Sequence, residues 1–239
     1  MTADREALVR AVTDEVVRQL AALPRTGFRA AEEGVRTGDG LERDASGVPV
    51  VPCNISNRHL HVSAADLDAL FGKGHALTRM KDLMQPGQFA CEEIVTVATQ
   101  RGRCTERVRI LGPARPRTQL EISRTDAYFL GLRPPVRNSG DLRGSAGCTL
   151  IGPAGTVILE EGVIIANRHL HCPAELAAEL SLRDGQMVRA RAAHADKPTI
   201  FESVTVRVAT PARWELHLDL DDANAAGVLN GDRVQLLIE

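Results

Sequence analysis

The sequence predicts a mainly β protein: two related β-barrels with short capping helices, preceded by an N-terminal amphipathic helix. Three observations carry this expectation. The phrase Asn57-Arg58-His59-Leu60-His61 recurs letter for letter as Asn167-Arg168-His169-Leu170-His171, 110 positions on (57 to 167). From residue 48 onward the chain is a series of short β-branched runs bounded by Gly and Pro, the pattern of barrels and sandwiches rather than βαβ units. Only one stretch, near the N-terminus, sustains a helical period.

That stretch is Asp4 to Leu23. Leu8, Val9, Val12, Val16, Leu20 and Leu23 share one face, and charged residues such as Arg5, Arg10, Asp14 and Arg18 cover the rest. Pro24 stops it. Such a helix folds back on its own core, pairs in a dimer, or docks into a partner's groove. Thr26 to Gly47 has no period and is rich in Gly, Ala and charge, so it reads as a linker.

The strands then expected are Val48–Ile55, Glu93–Ala98, Arg107–Leu111, Gln119–Ile122, Leu150–Ile151, Thr156–Leu159 and Val163–Ala166. Further on come Met187–Ala192, Thr199–Val208, Glu215–Leu220 and Arg233–Ile238. Short helices fall between them at Ala64–Phe71, Arg124–Leu130, Pro173–Glu179 and Asp222–Ala226, the last with Asp221 as its cap.

The 239 residues suffice for one large or two small domains. With 44% hydrophobic and 25% charged residues and a net charge of −2, nothing argues for nucleic acid. No apolar run approaches the roughly 18 residues of a membrane span, and the first residues are too charged for a signal peptide. Five cysteines without a C-x-x-C pair read as reduced thiols. Lysine occurs only at 73, 81 and 197, so arginine, the better fork for phosphate, supplies the rest of the 29 basic side chains.

The repeated phrase carries the chemistry. A strand alternates its side chains, so both imidazoles of a His-x-His point one way and the leucine the other. Two imidazoles on one face can hold a divalent metal at about 2.0–2.1 Å per bond. Two phrases mean two metals, or one site assembled from both halves. His217, in Glu215-Leu216-His217-Leu218-Asp219, shares a face with Glu215 and Asp219. It either completes a three-histidine set with His169 and His171 or belongs to a solvent-facing polar stripe. Glu121, at a strand end before a helix cap, can supply an oxygen to the first pair.

Arg115 and Arg117 lie on a rigid Gly-Pro-Ala-Arg-Pro-Arg loop. Residues 137–141 and 144–147 form a Gly/Ser-rich loop able to cradle an anion. Gln85-Pro86-Gly87-Gln88 is a turn. His75 and His194 sit in loop-like contexts that mark them as solvated, and Cys172 points away from the metal face. No phosphate-binding P-loop, dinucleotide fingerprint, nucleophile elbow or H-E-x-x-H is present.

Six segments carry a family resemblance: SNRHLHVS (56–63), LTRMKDLMQPGQFACEE (77–93), RILGPARPRTQLEISRTDA (109–127), NSGDLRGSAG (138–147), EGVIIANRHLH (161–171) and HLDLDDANAAG (217–227). From about Val48 to Glu239 the chain resembles the PduL-type phosphate propanoyltransferases, the phosphotransacylases of bacterial microcompartments. The resemblance implies two β-barrels around a pair of zinc ions. One zinc would take His59, His61 and Glu121, the other His169, His171 and His217. Arg115 would grip phosphate as the catalytic arginine, with Ser139 beside it. Coenzyme A would meet Ser56, Lys81, Arg109, Leu111 and Asn224.

The same resemblance implies that residues 1–47 are a targeting helix and linker that address the enzyme to shell or cargo proteins in the microcompartment lumen. Residues 48–57 would pack with a C-terminal barrel of 167–239, leaving 58–166 as the central barrel. A homo-oligomer acting on acyl-CoA and phosphate follows, with propanoyl the expected acyl group and acetyl the alternative. Met84 stands where a serine is expected and Cys172 where methionine is, which bears on local packing rather than on the metal sets.

The implied reaction is attack of a phosphate oxygen on the thioester carbonyl, giving acyl phosphate and free CoA. No Cys or Ser has an evident paired base, so direct transfer is the simpler expectation. A binuclear amidohydrolase would need a (β/α)₈ barrel, for which the chain has too few long helices. A metal-stabilised cargo scaffold would leave the arginine and Gly/Ser loops without a purpose.

Overall fold

The computed structural model describes residues 41–193 and 197–238. The expected helix Asp4–Leu23 and His194 lie outside the described residues. The strands of the first half are β1 (Glu42–Arg43), β2 (Pro49–Ser56), β3 (His59–His61), β4 (Arg79–Asp82), β5 (Phe89–Ala98), β6 (Cys104–Gly112), β7 (Gln119–Glu121) and β8 (Val136–Arg137). Those of the second are β9 (Ala146–Ile151), β10 (Thr156–Ala166), β11 (His169–Pro173), β12 (Met187–Ala192), β13 (Thr199–Ala209), β14 (Glu215–Asp219) and β15 (Arg233–Leu237). Helices α1 (Ala64–Phe71), α2 (Arg124–Leu130), α3 (Ala174–Glu179) and α4 (Leu220–Ala226) each follow a short strand.

Hydrogen bonding closes twelve of these strands into two six-stranded barrels, with β1, β4 and β8 at their edges. One runs β5-β6-β3-β7-β10-β9 and returns to β5. The other runs β2-β14-β11-β13-β12-β15 and returns to β2, so the first long strand completes the barrel built from the end of the chain. This is the mainly β, two-barrel architecture expected, and it excludes a (β/α)₈ barrel.

The two repeated phrases form β3 and β11, and each sits in the same setting. Both run parallel to a long strand and antiparallel to a short one that ends at a helix cap. His59 lies across from Arg109 on β6 and Glu121 on β7; His169 lies across from Thr205 on β13 and His217 on β14. The intervening leucine points inward. Leu60 meets Ile110 and Leu120, Leu170 meets Val206 and Leu216, and all six are 0% exposed. Each core therefore anchors the strand whose opposite face carries the imidazoles.

The long partner strands bend at matching places. Arg107 on β6 and Ser203 on β13 both have φ of 58°, each two residues before the position paired with the first histidine. Register breaks in the β5/β6 and β12/β13 pairs at these points, as at β-bulges, which re-aim strands beside sites. A non-glycine residue there costs on the order of 1–3 kcal/mol, so the same strain is held in both barrels.

Several elements differ from the expectation. The linker is not structureless to Gly47: the Asp44 carboxylate accepts the Ser46 and Val48 amides at 2.8 and 3.0 Å, closing a turn that lets β1 pair with β2. The strands expected at 156–159 and 163–166 are one strand with an irregularity between Leu159 and Val163. β9 begins at Ala146, inside the expected Gly/Ser loop, because Gly147 lets the backbone pass the Leu159 carbonyl where any Cβ would collide. β4 and β8 are short edge strands without an apolar alternation. Helix α4 starts at Leu220 and is capped by Asp219, whose carboxylate accepts the Asp222 amide at 2.8 Å. Asp221 instead accepts the Thr125 amide of α2 at 2.8 Å.

His75 is not simply solvated. Its Nε2 is 2.9 Å from the buried Glu93 carboxylate and its ring stacks on Phe71 with centroids 5.1 Å apart. Cys172 is fully buried in the C-terminal core, away from the imidazole face. Among the described residues no helix is long and apolar enough to cross a membrane.

Candidate metal centre and anion site

His59, His61 and Glu121 are 8%, 3% and 7% exposed, and their donor atoms all lie within 4.8 Å of one another. His59 Nδ1 is 2.8 Å from the Asn57 carbonyl and His61 Nδ1 is 3.2 Å from the Leu111 carbonyl. A carbonyl only accepts, so each Nδ1 carries the proton and each Nε2 keeps a lone pair. Both Nε2 atoms face Glu121, at 3.6 Å from Oε2 and 3.9 Å from Oε1. These spacings exceed a hydrogen bond, yet suit donors that each sit about 2.0–2.1 Å from one shared ion.

His169, His171 and His217 form the second set, with ring centroids 4.7–4.9 Å apart. His169 Nδ1 donates to the Asn167 carbonyl at 2.8 Å, as His59 does in the first barrel. His217 is held from its other end: Nε2 donates to Glu215 Oε2 at 2.8 Å, which leaves Nδ1 as its free donor. Glu215 is 1% exposed and also accepts from Gln85 Nε2 at 2.6 Å and Asn54 Nδ2 at 2.9 Å. The donor sets of both barrels therefore fit a divalent ion, with carbonyls and carboxylates fixing the tautomers.

A further member of each repeated phrase, its arginine, has structural work. Arg58 grips Asp126 Oδ1 from Nε at 3.0 Å and Nη2 at 2.6 Å. Arg168 grips Asp222 with a two-pronged fork at 2.7 and 2.8 Å. Asp126 completes a capping box with Ser123 at the start of α2, and Asp222 sits over the Asp219 cap of α4. Each arginine thus ties its histidine strand to the helix that follows the third donor.

The two sets face one another electrostatically. Burial alone would raise the Glu121 carboxyl, but the imidazoles of His59, His61 and His169 and the Arg115 guanidinium together hold it below the usual carboxylate range. Burial, then His59 and Arg115, pushes His61 down to about 3. Burial, then His217 and His169, pushes His171 down to about 2. Rings that resist protonation stay available as lone-pair donors.

Arg115 sits on the loop after β6, its amide fixed to the Val62 carbonyl at 2.8 Å. Its Nη1 donates to Ser139 Oγ at 3.1 Å. Burial lowers its pKa, with Arg207 acting in the same direction and Glu121 opposing. Arg207 shares the face of His171 across the β11/β13 pair. Gly112 precedes this loop because a Cβ there would collide with the Phe89 ring.

Beside the first set lies a cavity of about 440 Å³, lined among others by Ser56, His59, Lys81, Arg109, Leu111 and His217. Asn224 is not on its lining and is exposed on α4. Gln119 and Glu215 stand out as residues with no role assigned from sequence. Each lies two positions before the third donor of its set and hydrogen-bonds that donor, Gln119 Nε2 to Glu121 Oε1 at 2.5 Å. Extending the alignment of the two repeats from β3 and β11 to β7 and β14 would have exposed the pair.

A family model described as phosphate propanoyltransferase matches residues 52–229. A phosphate propanoyltransferase of Thermotoga maritima is 47% identical over 189 residues, 79% of this chain and 90% of the relative. Its counterpart from Rhodobacter capsulatus is 46% identical over 187 residues, covering 78% of this chain and 86% of that protein. The one from Salmonella typhimurium is 44% identical over 180 residues, or 75% and 85%. With a match that spans both barrels and both donor sets, the chain belongs to the phosphate propanoyltransferase family of acyltransferases.

Proposed function

We propose that the chain transfers an acyl group, propanoyl in preference to acetyl, reversibly between coenzyme A and inorganic phosphate at a site holding two zinc ions. The observation that carries this reading is the pairing of two three-donor sets with the Arg115 guanidinium beside an open cavity. His59, His61 and Glu121 would hold one ion, and His169, His171 and His217 the other. Nitrogen-rich sets of this size suit zinc over the oxygen-seeking magnesium or calcium. When bound, such ions supply Lewis acidity and charge neutralisation.

The remaining work falls to the chain. Arg115 and Ser139 would grip phosphate and fix which oxygen faces the thioester, a charge-assisted, orienting contact. Lys81 and Arg109 carry positive charge on the cavity lining, suited to the phosphates of coenzyme A, with Ser56 and Leu111 alongside. Asn224, outside that lining, would meet an outer part of the same ligand. A phosphate oxygen attacks the thioester carbonyl, a tetrahedral oxyanion forms and collapses, and the C–S bond breaks. Coenzyme A leaves as a thiolate that is protonated from solvent.

The cysteines support direct transfer over an acyl-enzyme. Burial pushes Cys53 and Cys148 up to about 12 and Cys91 and Cys172 up to about 11, so none of these is poised as a thiolate. Part of the same proposal is the setting: a homo-oligomer in a microcompartment lumen, addressed there by the helix expected at Asp4 to Leu23 through shell or cargo proteins.

The deciding assay is thiol release from propanoyl-CoA with and without added phosphate, alongside metal analysis of the protein. Release that requires phosphate, with zinc bound, is the expected result. Release without phosphate would mean a hydrolase, and none at all a binding module. Acetyl-CoA run in parallel measures the preference, which one methylene limits to about 1–3 kcal/mol.

A further inference from the structure

Gln119 is 2% exposed and makes three short hydrogen bonds at once. Its Oε1 accepts the Gly140 amide at 2.7 Å. A backbone N–H can only donate, so the orientation of the side-chain amide is settled and its NH₂ faces the other way. That NH₂ donates to Glu121 Oε1 at 2.5 Å and to Ser139 Oγ at 2.7 Å. Ser139 Oγ receives a second donor, Arg115 Nη1, at 3.1 Å.

A hydroxyl has two acceptor lone pairs and one proton to give. With Arg115 and Gln119 occupying both lone pairs, the Ser139 O–H has to point outward as a donor. The groups offered beside Arg115 are then all donors: guanidinium N–H and hydroxyl O–H. An oxyanion satisfies such a surface. Water, which needs acceptors for its own protons, does not.

We propose that Gln119 is the positioning residue that makes this subsite select an oxyanion over water. By filling the remaining lone pair of Ser139 it turns an ambivalent hydroxyl into a dedicated donor toward a phosphate oxygen. Through the same NH₂ it holds the Glu121 carboxylate away from the anion. The inference rests on reading Arg115 and Ser139 as the phosphate subsite. It adds that nucleophile choice, phosphate against water, is set by a residue that touches neither substrate.

A double-mutant cycle on the full-length, metal-loaded enzyme tests it, reading KM for phosphate, KM for propanoyl-CoA and the ratio of acyl phosphate formed to propanoate released. Ser139→Ala and Gln119→Leu should each raise the phosphate KM by about 10-fold or more, the loss expected for a hydrogen bond to a charged group. Both should lower the product ratio and leave the propanoyl-CoA KM within about twofold, a change too small to reflect a lost contact. In the Gln119→Leu background, Ser139→Ala should add little, because its donor role depends on Gln119. Multiplying effects, or a propanoyl-CoA KM that rises as much as the phosphate KM, would overturn the proposal.

Gln119→Glu keeps the volume and the acceptor for Gly140 but offers Ser139 a carboxylate, drawing its O–H inward. It should raise the phosphate KM more than Gln119→Leu does, and an unchanged KM would sink the idea even if the leucine variant fails to fold. Arg115→Ala separates the two levels of the argument. If it leaves the phosphate KM unchanged, the subsite itself is misassigned. If it raises that KM while Gln119 and Ser139 act independently, only the role of Gln119 falls.

Discussion

Glu121 and His217 occupy the same place in the two barrels, each directly across an antiparallel strand pair from the first histidine of an Asn-Arg-His-Leu-His phrase. One is held by a donor, Gln119, and the other by an acceptor, Glu215. The two halves thus use one frame to present chemically opposite third donors, a carboxylate oxygen and an imidazole nitrogen. Glu121→Gln and His217→Ala should each roughly halve the zinc recovered per chain, since each disrupts one set and leaves the other. Elemental analysis of the purified variants decides it. Loss of all metal from either variant would show a single composite site.

Replacing Arg115 by Ala removes the guanidinium proposed to grip phosphate while touching no donor of either set. Turnover should fall by about 100-fold or more, mostly through phosphate, as for loss of a charge-assisted orienting contact. Zinc content should stay as in the parent protein. An Arg115→Ala protein that lost its metal would contradict the division of labour.

The histidine strands are anchored by Leu60 and Leu170, both 0% exposed. Leu60→Ala or Leu170→Ala should cost about 2–5 kcal/mol, the range for a large-to-small change in a packed core. Urea unfolding read by circular dichroism measures it. A cost below about 1 kcal/mol would mean that the barrel interior relaxes around the hole.

Arg58 and Arg168 each clamp an aspartate in the first turn of the helix that follows the third donor, and the partners are partly shielded from water. Arg168→Ala should lower stability by about 1–3 kcal/mol, the cost of leaving a charged hydrogen-bonding group without its partner. Arg168→Lys should restore little, because an ammonium cannot match both Asp222 oxygens as the planar fork does. Full rescue by lysine would reduce the contact to simple charge.

His61 titrates at about 3 in the folded chain, pushed down by burial and then by His59 and Arg115. Unfolded, an imidazole titrates near 6.5. The unfolded chain therefore binds the extra proton first as pH falls, so the metal-free protein loses stability below about pH 6.5 and is unaffected by this group above it. The slope from His61 alone is at most about 1.4 kcal/mol per pH unit. Denaturant midpoints of chelator-treated protein between pH 8 and 5 give the profile. A flat line would mean that His61 is open to solvent.

Much of this arrangement was legible because it is written twice. The identical phrases single out the histidines, and strand alternation separates their imidazoles from Leu60 and Leu170, but the sequence reads each phrase as the end of the preceding run, whereas each forms a strand of its own, β3 and β11. The leucine–polar alternation put His217 on a face with Glu215. What sequence could not supply was register. Nothing local says that Gln119 falls across from His61, or that Gln85, in what reads as an ordinary turn, reaches Glu215 from 130 positions away. The edge strands β4 and β8 are not legible because they are short and exposed, with a single apolar residue each, Met80 and Val136, so no apolar period marks them. The sequence points to Asp221 as the cap because three carboxylates within four residues, Asp219, Asp221 and Asp222, compete for that role, and only backbone geometry picks Asp219.

The seat of β2 between β14 and β15 has a bearing on how the molecule is made. A ribosome delivers β2 before every strand of the first barrel and β14 and β15 after all of them, so the second barrel stays open until both have emerged. During that interval β2 is an exposed, sticky edge awaiting neighbours that do not yet exist. Losing β15 would therefore leave β2 and β12 as open edges, and the second barrel could not be cut out as one continuous piece without carrying the first, residues 59–166, between its strands.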